Sequence, residues 1–394
     1  MRISRPLIIG TAIALSVAAL LAPVSQAAQG TGEYIVVLKD DASPATVAAR
    51  HKNKHDVEVK HLYKYALKGY AARIKGSELA ALRKDTDVAF IEEDAIATIA
   101  KPGGKKPGGS DPAPAPGVAS WGLDRIDQRD LPLDGAFNPR GDGARVTAYV
   151  LDTGVHITHV DFGGRASYGR DVIDGDDVSS DCHGHGTHVA GTIGGATYGV
   201  TKAVNIVAVR VLNCAGSGTW SGIAAGLDCV VGHESGTPKV ANLSIGGPGS
   251  DAMDLAIANA TAEGVTVVVA AGNESTNACN RSPARAPSAI IVGATTSSDA
   301  RASYSNYGPC LDIFAPGSSI KSAWKGSDTA TKTISGTSMA TPHTAGMAAL
   351  ALSAGSSPAQ VTVAILAGAT KDRVTGIATD QYAGTPNLLL YAGN

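Results

Sequence analysis

Three short stretches of the chain each hold one side chain that could take part in nucleophilic hydrolysis. An apolar run ends in Asp152, a glycine-rich stretch contains His185, and a Gly-Thr pair precedes Ser338. A serine hydroxyl is a weak nucleophile until a base accepts its proton, and a histidine oriented by an aspartate is such a base. Each residue alone is more often structural, since a lone Gly-Thr-Ser usually marks a helix N-cap. Together, in the order Asp, His, Ser, they predict a catalytic triad.

The flanking residues predict the elements that position these side chains. Residues 144–151 are expected to form a central strand with Asp152 at its C-terminal end, where active sites gather in open α/β sheets. The glycines around His185 place it at a turn, with a helix starting at Thr187. Ser338 is expected at the N-terminus of a buried helix, where free N–H groups and the helix dipole favour negative charge.

Beyond Trp121 the chain alternates apolar strands with helices. The predicted strands are 204–212, 240–244, 265–271 and 289–294, and the predicted helices are 221–233 and 252–263. Continuous apolar strands separated by helices predict a mainly parallel sheet covered on both faces, which is a three-layer α/β fold. The formal net charge of -2, without a basic cluster, gives no footprint for nucleic acid.

At its three motifs the chain resembles the subtilisin-like serine proteases, and most of all their proteinase K and aqualysin branch. The segments that carry the resemblance are Val150–Val155, His183–Gly191 and Gly336–His343. The similarity extends from about Trp121 to Asn394, with a weaker match over an inhibitory propeptide. It implies a secreted serine endopeptidase of broad specificity, made as a self-cleaving zymogen, that acts on protein and peptide substrates as a monomer.

Composition divides the chain into four segments. Two arginines precede an apolar run at 7–22 and small residues at 25–28, which predicts a signal peptide cleaved near Ala27 or Ala28. A membrane anchor is the alternative, but the run is at the short end for spanning a bilayer, and no other stretch is long and apolar enough. The predicted boundaries are 1–28 for the signal peptide, 29–100 for the propeptide, 101–117 for a linker and 118–394 for the catalytic domain.

The segment 29–100 is predicted to form a small α+β, ferredoxin-like domain with two helices on an antiparallel sheet. Its predicted strands are 34–38, 69–74 and 88–91, and its predicted helices are 45–55 and 77–84. The resemblance makes it an inhibitory propeptide that assists folding and then occupies the active site; the alternative is an ordinary domain kept in the mature protein. Its tail, 95–100, is extended, small and uncharged, which suits a strand in a protease groove and predicts self-cleavage after Ala100. The Pro- and Gly-rich linker that follows cannot bury a core.

The resemblance also assigns residues around the scissile bond. The Asn273 side chain and the backbone N–H of Ser338 would form an oxyanion hole, although a turn-forming role is the alternative for Asn273. The residues that would flank the substrate backbone are Gly216, Ser217, Gly218, Ser244, Ile245 and Gly246. The residues that would line the pocket for the side chain before the cut are Ala270, Ala271 and Gly272. None of them is charged, which predicts apolar or aromatic side chains there. Trp220 would either form an outer subsite or pack in the core.

Acidic residues gather at places that could bind structural Ca²⁺, which prefers hard oxygen ligands at close spacing. One acidic stretch, just before the histidine motif, contains Asp171, Asp174, Asp176, Asp177 and Asp181. The ligands that the resemblance implies are Asp124, Asp127, Gln128 and Asp134 at one site, Asp171 and Asp176 at a second, and Asp312 with the carbonyls of Pro287 and Ala289 at a third. Solvated acidic loops are the alternative.

The five cysteines fit an exported protein. By the resemblance, Cys182 pairs with Cys214 and Cys279 with Cys310. Each bridge would close a loop of about 30 residues and contribute roughly 3–4 kcal/mol in the chain-entropy model. Cys229 lies in a predicted helix, where a buried thiol is expected rather than a reactive one.

Three histidines, His183, His185 and His188, raise the alternative of a zinc hydrolase. Their spacing is not that of His-Glu-x-x-His, and a glutamate base is absent. We expect His188 to pack internally and His183 to be solvated. An inactive binding protein of the same fold is a second alternative, which the presence of every expected catalytic residue opposes. A narrow processing protease would show acidic residues at its pocket.

Overall fold

In the computed structural model of the chain, residues 30–99 and 118–393 are described. The predicted signal peptide, the linker and Ala100, after which self-cleavage is expected, lie outside these residues. The described chain forms two units, one on each side of the linker. A short strand at the end of the first unit, β5 (Ile96–Ile99), pairs with strands of the second.

The first unit consists of four antiparallel strands and two helices. The strands are β1 (Thr31–Leu38), β2 (Glu58–Tyr63), β3 (Gly69–Lys75) and β4 (Val88–Glu93), and the helices are α1 (Pro44–His55) and α2 (Gly76–Leu82). The strand order is β2-β3-β1-β4, and every pair is antiparallel. Val36, Val47, Tyr70, Ile74 and Leu82 pack in its core. The predicted α+β arrangement is therefore confirmed, and β2 is a strand that the sequence did not predict.

The second unit is built on one large sheet. Its strands are β6 (Thr147–Asp152), β7 (Ala166–Asp171), β8 (Asn205–Arg210), β10 (Lys239–Leu243), β12 (Val265–Ala270), β13 (Ile290–Thr295), β14 (Ile313–Pro316), β17 (Thr370–Lys371) and β18 (Leu388–Leu389). The order is β17-β18-β14-β13-β12-β10-β6-β8-β7. All neighbours are parallel except β17 and β18. Smaller pairings use β9 (Ser217–Thr219), β11 (Ile245–Gly246), β15 (Ile320–Ala323) and β16 (Thr331–Ile334).

Helices cover both faces of this sheet. They are α3 (Trp121–Ile126), α4 (His185–Gly194), α5 (Trp220–Gly232), α6 (Asp251–Ala262), α7 (Thr337–Ser353) and α8 (Pro358–Gly368). Leu227 of α5 and Ile257 of α6 pack into one core, whereas Ile193 of α4 and Leu350 of α7 pack into a second core on the other face. Because a parallel sheet needs both faces buried, this arrangement explains the continuous apolar strands and confirms the three-layer α/β fold.

Two further points concern the helices. Helix α4 begins at His185, two residues before the predicted start at Thr187, so the histidine belongs to the first turn. Within residues 30–99 and 118–393, no single helix has the length and apolar character needed to cross a membrane. Only α7 and α8 taken together, which form a bent pair, reach that length and apolar composition.

Candidate active site

The predicted aspartate and histidine meet where β6 ends and α4 begins. His185 Nδ1 lies 2.8 Å from Asp152 Oδ1 and 2.9 Å from Asp152 Oδ2. Asp152 is fully buried, and the backbone N–H of Thr153 donates to its Oδ1 at 2.7 Å. The carboxylate is therefore fixed, and its bond to Nδ1 sets the orientation of the His185 ring.

Ser338 is the second residue of α7, and it is joined to Ser244, the residue that follows β10. Its hydroxyl donates to the carbonyl oxygen of Ser244 at 3.1 Å, and Ser244 Oγ donates to the carbonyl oxygen of Ser338 at 3.0 Å. Pro342 lies four residues after Ser338 and has no N–H for that carbonyl. The hydroxyl of Ser244 takes the place of the missing helical hydrogen bond.

Asn273 follows β12 and faces the start of α7. Its Oδ1 accepts hydrogen bonds from the backbone N–H and the hydroxyl of Thr337, both at 2.9 Å. Gly272 has a φ of +100°, a conformation that favours glycine, and its N–H donates to the Thr337 hydroxyl at 3.2 Å. Because the amide oxygen is engaged by Thr337, the Nδ2 end of Asn273 points the opposite way.

The tail of the first unit lies in the groove between two of the predicted substrate-flanking segments. Strand β5 is the middle strand of a three-stranded antiparallel sheet, with β9 on one side and β11 on the other. Thr98 pairs with both Ser217 and Gly246, and the N–H of Ile99 donates to the carbonyl oxygen of Gly216 at 2.9 Å. Gly218 and Ile245 pair with Ala97 and Ile99. Ser244, in contrast, contacts Ser338 rather than the tail in these pairings.

Comparison with known proteins identifies the family. The profile of the subtilase family (peptidase S8) matches residues 143–385, and the profile of peptidase inhibitor I9 matches residues 33–100. The chain belongs to the subtilase family. The second match makes the first unit of this subtilase an inhibitory propeptide, in agreement with β5 in the groove. The predicted domain boundaries at 28, 100 and 117 stay predictions.

Individual relatives agree with the family assignment. The chain is 49% identical to alkaline serine exoprotease A of Vibrio alginolyticus over 349 residues, which are 87% of this chain and 62% of that relative. It is 48% identical to the extracellular serine proteinase of Thermus sp. (strain Rt41A) over 384 residues, which are 91% of this chain and 89% of that relative. A crystal structure of a cold adapted subtilisin-like serine proteinase matches with a TM-score of 0.66 and 56% identity, covering 70% of this chain and 98% of that chain.

Trp220 lies in the core of this subtilase while the propeptide is bound. It is fully buried, its N–H donates to the carbonyl oxygen of Ala95 at 3.0 Å, and its indole Nε1 donates to the carbonyl oxygen of Pro248 at 3.2 Å. A β-carbon on Gly247 would lie 2.7 Å from the indole and 3.2 Å from Ala97. The indole therefore packs in the core beneath the groove near Ala97, and its role in an outer subsite stays a prediction.

The pocket-lining segment has a charged neighbour that the sequence prediction left out. Ala270, Ala271 and Gly272, which are predicted to line the pocket, are buried, and a β-carbon on Gly272 would lie 2.6 Å from Glu274 Oε2. Arg281 Nη2 lies 3.1 Å from Glu274 Oε1 and partly neutralises this carboxylate. Glu274 directly follows Asn273 in the sequence, and this adjacency was the signal that could have revealed the charged neighbour.

The other two histidines of the motif have structural partners. His188 is fully buried and its Nε2 bonds to the carbonyl oxygen of Ile320 at 2.9 Å; burial lowers the pKa of this imidazole to about 3, so it stays neutral. The expectation of a solvated His183 is wrong, because its half-buried ring packs 6.3 Å from that of Trp324, between centroids. The subtilase assignment favours a serine hydrolase over the zinc alternative.

The first predicted calcium group keeps unpaired carboxylate oxygens. Asp124 Oδ1 and Asp127 Oδ1 are buried without a hydrogen-bond partner. Burial, and next to it the charge of Asp134, raises the pKa of both carboxyls. Gln128 instead serves the loop, since its Oε1 accepts from the N–H of Asp134 at 3.1 Å. A cation would relieve the repulsion between these carboxylates, so the group fits calcium.

The second and third predicted groups differ from the first. Arg210 donates to Asp171 at 2.8 Å and to Asp174 at 2.7 Å, so a guanidinium already neutralises the second group, and Asp176 accepts from a turn N–H at 2.9 Å. Burial raises the pKa of Asp312 to about 6, and its Oδ2 accepts the N–H of Ile291 at 2.8 Å. Of the two expected carbonyl donors, Ala289 is buried and Pro287 is exposed. Among the His, Cys, Asp and Glu side chains of the described residues, no group of three or more could hold a metal by itself.

The disulfides and the remaining cysteine are defined by the structure. Cys182 is bonded to Cys214 and Cys279 to Cys310, with Cα–Cα distances of 5.1 and 5.4 Å. The expectation of a buried Cys229 is wrong: the side chain is exposed, at a cavity that Tyr168 and Val207 of the sheet also line. Partial desolvation nevertheless raises the pKa of the Cys229 thiol, which opposes thiolate reactivity.

Proposed function

We propose that this subtilase is a secreted serine endopeptidase, made as a zymogen, in which Asp152, His185 and Ser338 hydrolyse peptide bonds through an acyl-enzyme. The observation that carries the proposal is strand β5, which lies in the groove as a peptide substrate would and ends one residue before the expected cut. The Asp152–His185 bond of 2.8 Å supports the proposal because it would supply an oriented base.

The proposed mechanism begins with proton transfer. His185, held through Nδ1 by Asp152, accepts the Ser338 proton on Nε2 as the hydroxyl oxygen attacks the scissile carbonyl. The imidazolium then donates that proton to the leaving amine, and an acyl-enzyme remains. Water, deprotonated by the same imidazole, attacks the ester and regenerates the Ser338 hydroxyl. Asp152 stabilises the imidazolium in both steps.

The developing oxyanion is assigned to two donors. The Nδ2 group of Asn273, whose oxygen is fixed by Thr337, and the backbone N–H of Ser338 are proposed to bind it. Rigid donors of this kind need no reorganisation when the charge forms. The N-terminal position of Ser338 in α7 adds the favourable end of the helix dipole.

Broad specificity follows from the way the substrate is bound. Backbone pairing with β9 and β11 is independent of side chains, as in other strand-addition complexes. We propose apolar or aromatic side chains in the pocket beside Ala270 to Gly272, with basic side chains second because Glu274 lies beside it. Digestion of a peptide library tests this order, and a preference for acidic residues before the cut would contradict it.

Calcium is proposed as a structural ion held by Asp124 and Asp127, whose Oδ1 atoms are buried without a hydrogen-bond partner. At a free calcium concentration of about 100 times the dissociation constant, the ion stabilises the fold by about 2.7 kcal/mol. For a domain of this size, that raises the melting temperature by about 5–10 °C. A chelator should therefore lower the melting temperature of the Ser338→Ala protein. Asp127→Asn should remove most of that response, and an unchanged response would contradict the site.

The triad assignment is tested on the precursor. Ser338→Ala should leave the propeptide attached, whereas the wild-type chain should be cut after Ala100, as intact-mass measurement would show. A serine-directed phosphonylating reagent should add one label to the wild-type enzyme and none to the variant. A Ser338→Ala precursor that is still processed in isolation would refute self-cleavage.

A further inference from the structure

Asp181 is buried beside the active site and accepts hydrogen bonds from both motifs that carry the acid–base pair. Its Oδ1 accepts from the hydroxyl of Thr153 at 2.9 Å and from the N–H groups of His183 and Gly184 at 2.9 and 2.7 Å. Its Oδ2 accepts from the N–H and the hydroxyl of Thr187 at 2.9 and 2.6 Å. The side chain is only 8% exposed, so water contributes little to satisfying these donors.

The carboxylate acts as a cap for α4, whose N-cap residue cannot provide one. Gly184 occupies the N-cap position with a φ of +111° and has no side chain to accept an N–H of the first turn. Asp181, three residues earlier, accepts the Thr187 N–H instead. His185 is the first residue of that helix, so the cap fixes the backbone from which its ring projects.

The other end of the network reaches the aspartate of the pair. Thr153, which donates to Asp181, follows Asp152 directly, and its own N–H donates to the Asp152 carboxylate at 2.7 Å. The Thr153 hydroxyl also accepts the N–H of Gly186 at 3.0 Å. A β-carbon on Gly186 would lie 2.1 Å from the carbonyl oxygen of Gly154, so the two motifs are in direct backbone contact.

We infer that Asp181 is a positioning residue that holds the His185 turn and the Asp152 strand end in fixed register. It does not touch the reacting atoms. Its role is to keep the 2.8 Å bond between Asp152 and His185 and the direction of the ring. This inference rests on the proposed function of that pair. Asp181 is therefore a structural acceptor and not a candidate calcium ligand within the acidic stretch 171–181.

Asp181→Asn isolates the role because an amide has nearly the same shape but one acceptor oxygen fewer. In either orientation its NH₂ group faces at least one backbone N–H, of Thr187 or of His183 and Gly184, which it cannot satisfy. The matched control is Asp161→Asn. Asp161 is a buried aspartate that accepts the N–H of Thr197 at 2.7 Å beside the far end of α4, away from the pair.

The experiment follows cleavage of the full-length precursor after refolding, with folding monitored separately by tryptophan fluorescence. Because a shift of about 1 Å in a reacting group can cost about 100-fold, Asp181→Asn should slow cleavage about 10- to 100-fold. The matured variant should show a reduced kcat with little change in KM on a peptide substrate. Asp161→Asn should stay within about twofold of wild type in both measurements, whatever it does to stability.

The pH profile separates positioning from a general loss of folded enzyme. The titratable groups around the His185 ring are Asp152, Asp181 and the rings of His183 and His188. Loss of one negative charge and a weaker Asp152 bond disfavour the charged imidazolium, so the acid limb of kcat/KM should move to lower pH. A purely structural defect lowers the amount of active enzyme and leaves that midpoint unchanged.

Thr187 provides a second variant if Asp181→Asn fails to fold. Thr187→Val removes the 2.6 Å hydroxyl bond but keeps the backbone cap, and it should slow cleavage in the same direction by a smaller factor. Thr187→Ser restores the hydroxyl and should restore the rate. Wild-type cleavage and an unmoved acid limb in Asp181→Asn, or equal rates for Thr187→Val and Thr187→Ser, would overturn the inference. Processing of Ser338→Ala would instead overturn the proposed function, so the two failures are distinguishable.

Discussion

At the scale of single residues, the site depends on side chains that replace missing backbone partners. Pro342 removes the helical donor for Ser338, and the Ser244 hydroxyl supplies another at 3.0 Å. Gly184 cannot cap its helix, and Asp181 does so. In both cases the exception to helix geometry lies within four residues of a proposed catalytic group. Such compensation fixes the reacting atoms without adding bulk to the groove.

The first prediction concerns Asn273, where the acceptor and donor ends of one amide can be separated. Asn273→Asp keeps the oxygen that binds Thr337 at 2.9 Å but loses the proposed oxyanion donor. Asn273→Asp and Asn273→Ala should each lower kcat by about 10²–10³ with KM little changed. The loss has the size of that found when such a donor is removed from subtilisin. Steady-state kinetics on a peptide substrate measure this effect.

Asn277→Ala is the control for that experiment, because Asn277 caps a short turn through the N–H of Cys279 at 2.9 Å and lies outside the proposed oxyanion hole. It should affect stability and leave kcat unchanged. Wild-type kcat in both Asn273 variants would remove the amide from the proposed mechanism.

At the scale of elements, helix α7 is unusual because it is buried from Thr337 to Leu352, polar residues included. One of these is His343, whose Nδ1 bonds to the carbonyl oxygen of Met339 at 2.8 Å. A β-carbon on Gly122 of α3 would lie 2.7 Å from its Nε2, so the two helices approach through a glycine. Burial lowers the pKa of His343 to about 4.

The second prediction follows from this imidazole. The folded protein holds His343 neutral down to about pH 4, whereas the unfolded chain binds a proton below about pH 6.5. Stability is therefore lost as the pH falls through this window, by about 1.4 kcal/mol per pH unit for each such group. Asn can present an N–H where the ring presented Nδ1. His343→Asn should therefore remove the contribution of His343 to the fall in unfolding free energy with falling pH.

Urea unfolding of the Ser338→Ala chain, with and without His343→Asn, at several pH values between 7 and 4.5 measures the difference, and the inactive background prevents self-digestion. The comparison cancels the contributions of other titrating groups, including His188. Parallel curves for the two proteins would contradict the assignment of the proton uptake to His343.

At the scale of the whole molecule, the propeptide is held by carboxylates as well as by the strand in the groove. Asp94 Oδ1 accepts the N–H of Ser221 at 3.0 Å and its Oδ2 accepts the Ser221 hydroxyl at 2.5 Å, at the N-terminus of α5. In the opposite direction, Asp228 of the catalytic unit accepts the backbone N–H groups of Tyr65 and Ala66 at 2.6 and 2.8 Å. The propeptide is therefore held by charge-assisted hydrogen bonds, and Asp94 also interacts favourably with the N-terminal end of the α5 dipole.

The third prediction concerns release of the propeptide after cleavage. Asp94→Ala removes two hydrogen bonds to a charged group, each contributing about 1.5–3 kcal/mol, so release should be at least about tenfold faster. The lag before activity appears on dilution of the cleaved complex measures it. Asp56→Ala is the control, because Asp56 pairs with Lys75 on the exposed surface of the propeptide at 2.7 Å. Equal lags for the two variants would contradict the role of Asp94.

Much of the fold and part of the site could be predicted because their signals are local. Apolar runs placed β8, β10, β12 and β13 within one or two residues and β6 within three, and a parallel sheet was the arrangement that could bury them on both faces. The C-terminal end of β6 was predicted from the point where the apolar run stops at a glycine turn. The start of α7 was predicted from the glycine turn before Ser338. The groove strand β5 was recognisable from its small, uncharged residues.

Other features depended on residues far apart in the chain, and only the tertiary structure decided them. Arg210 neutralises Asp171 across 39 positions, Glu274 lies beside the proposed pocket, and Cys229 is exposed. The sequence alone determined which side chains could do the chemistry and on which elements they lie. The choice of partner for each buried polar group was decided by packing, because one residue does not specify what lies across from it.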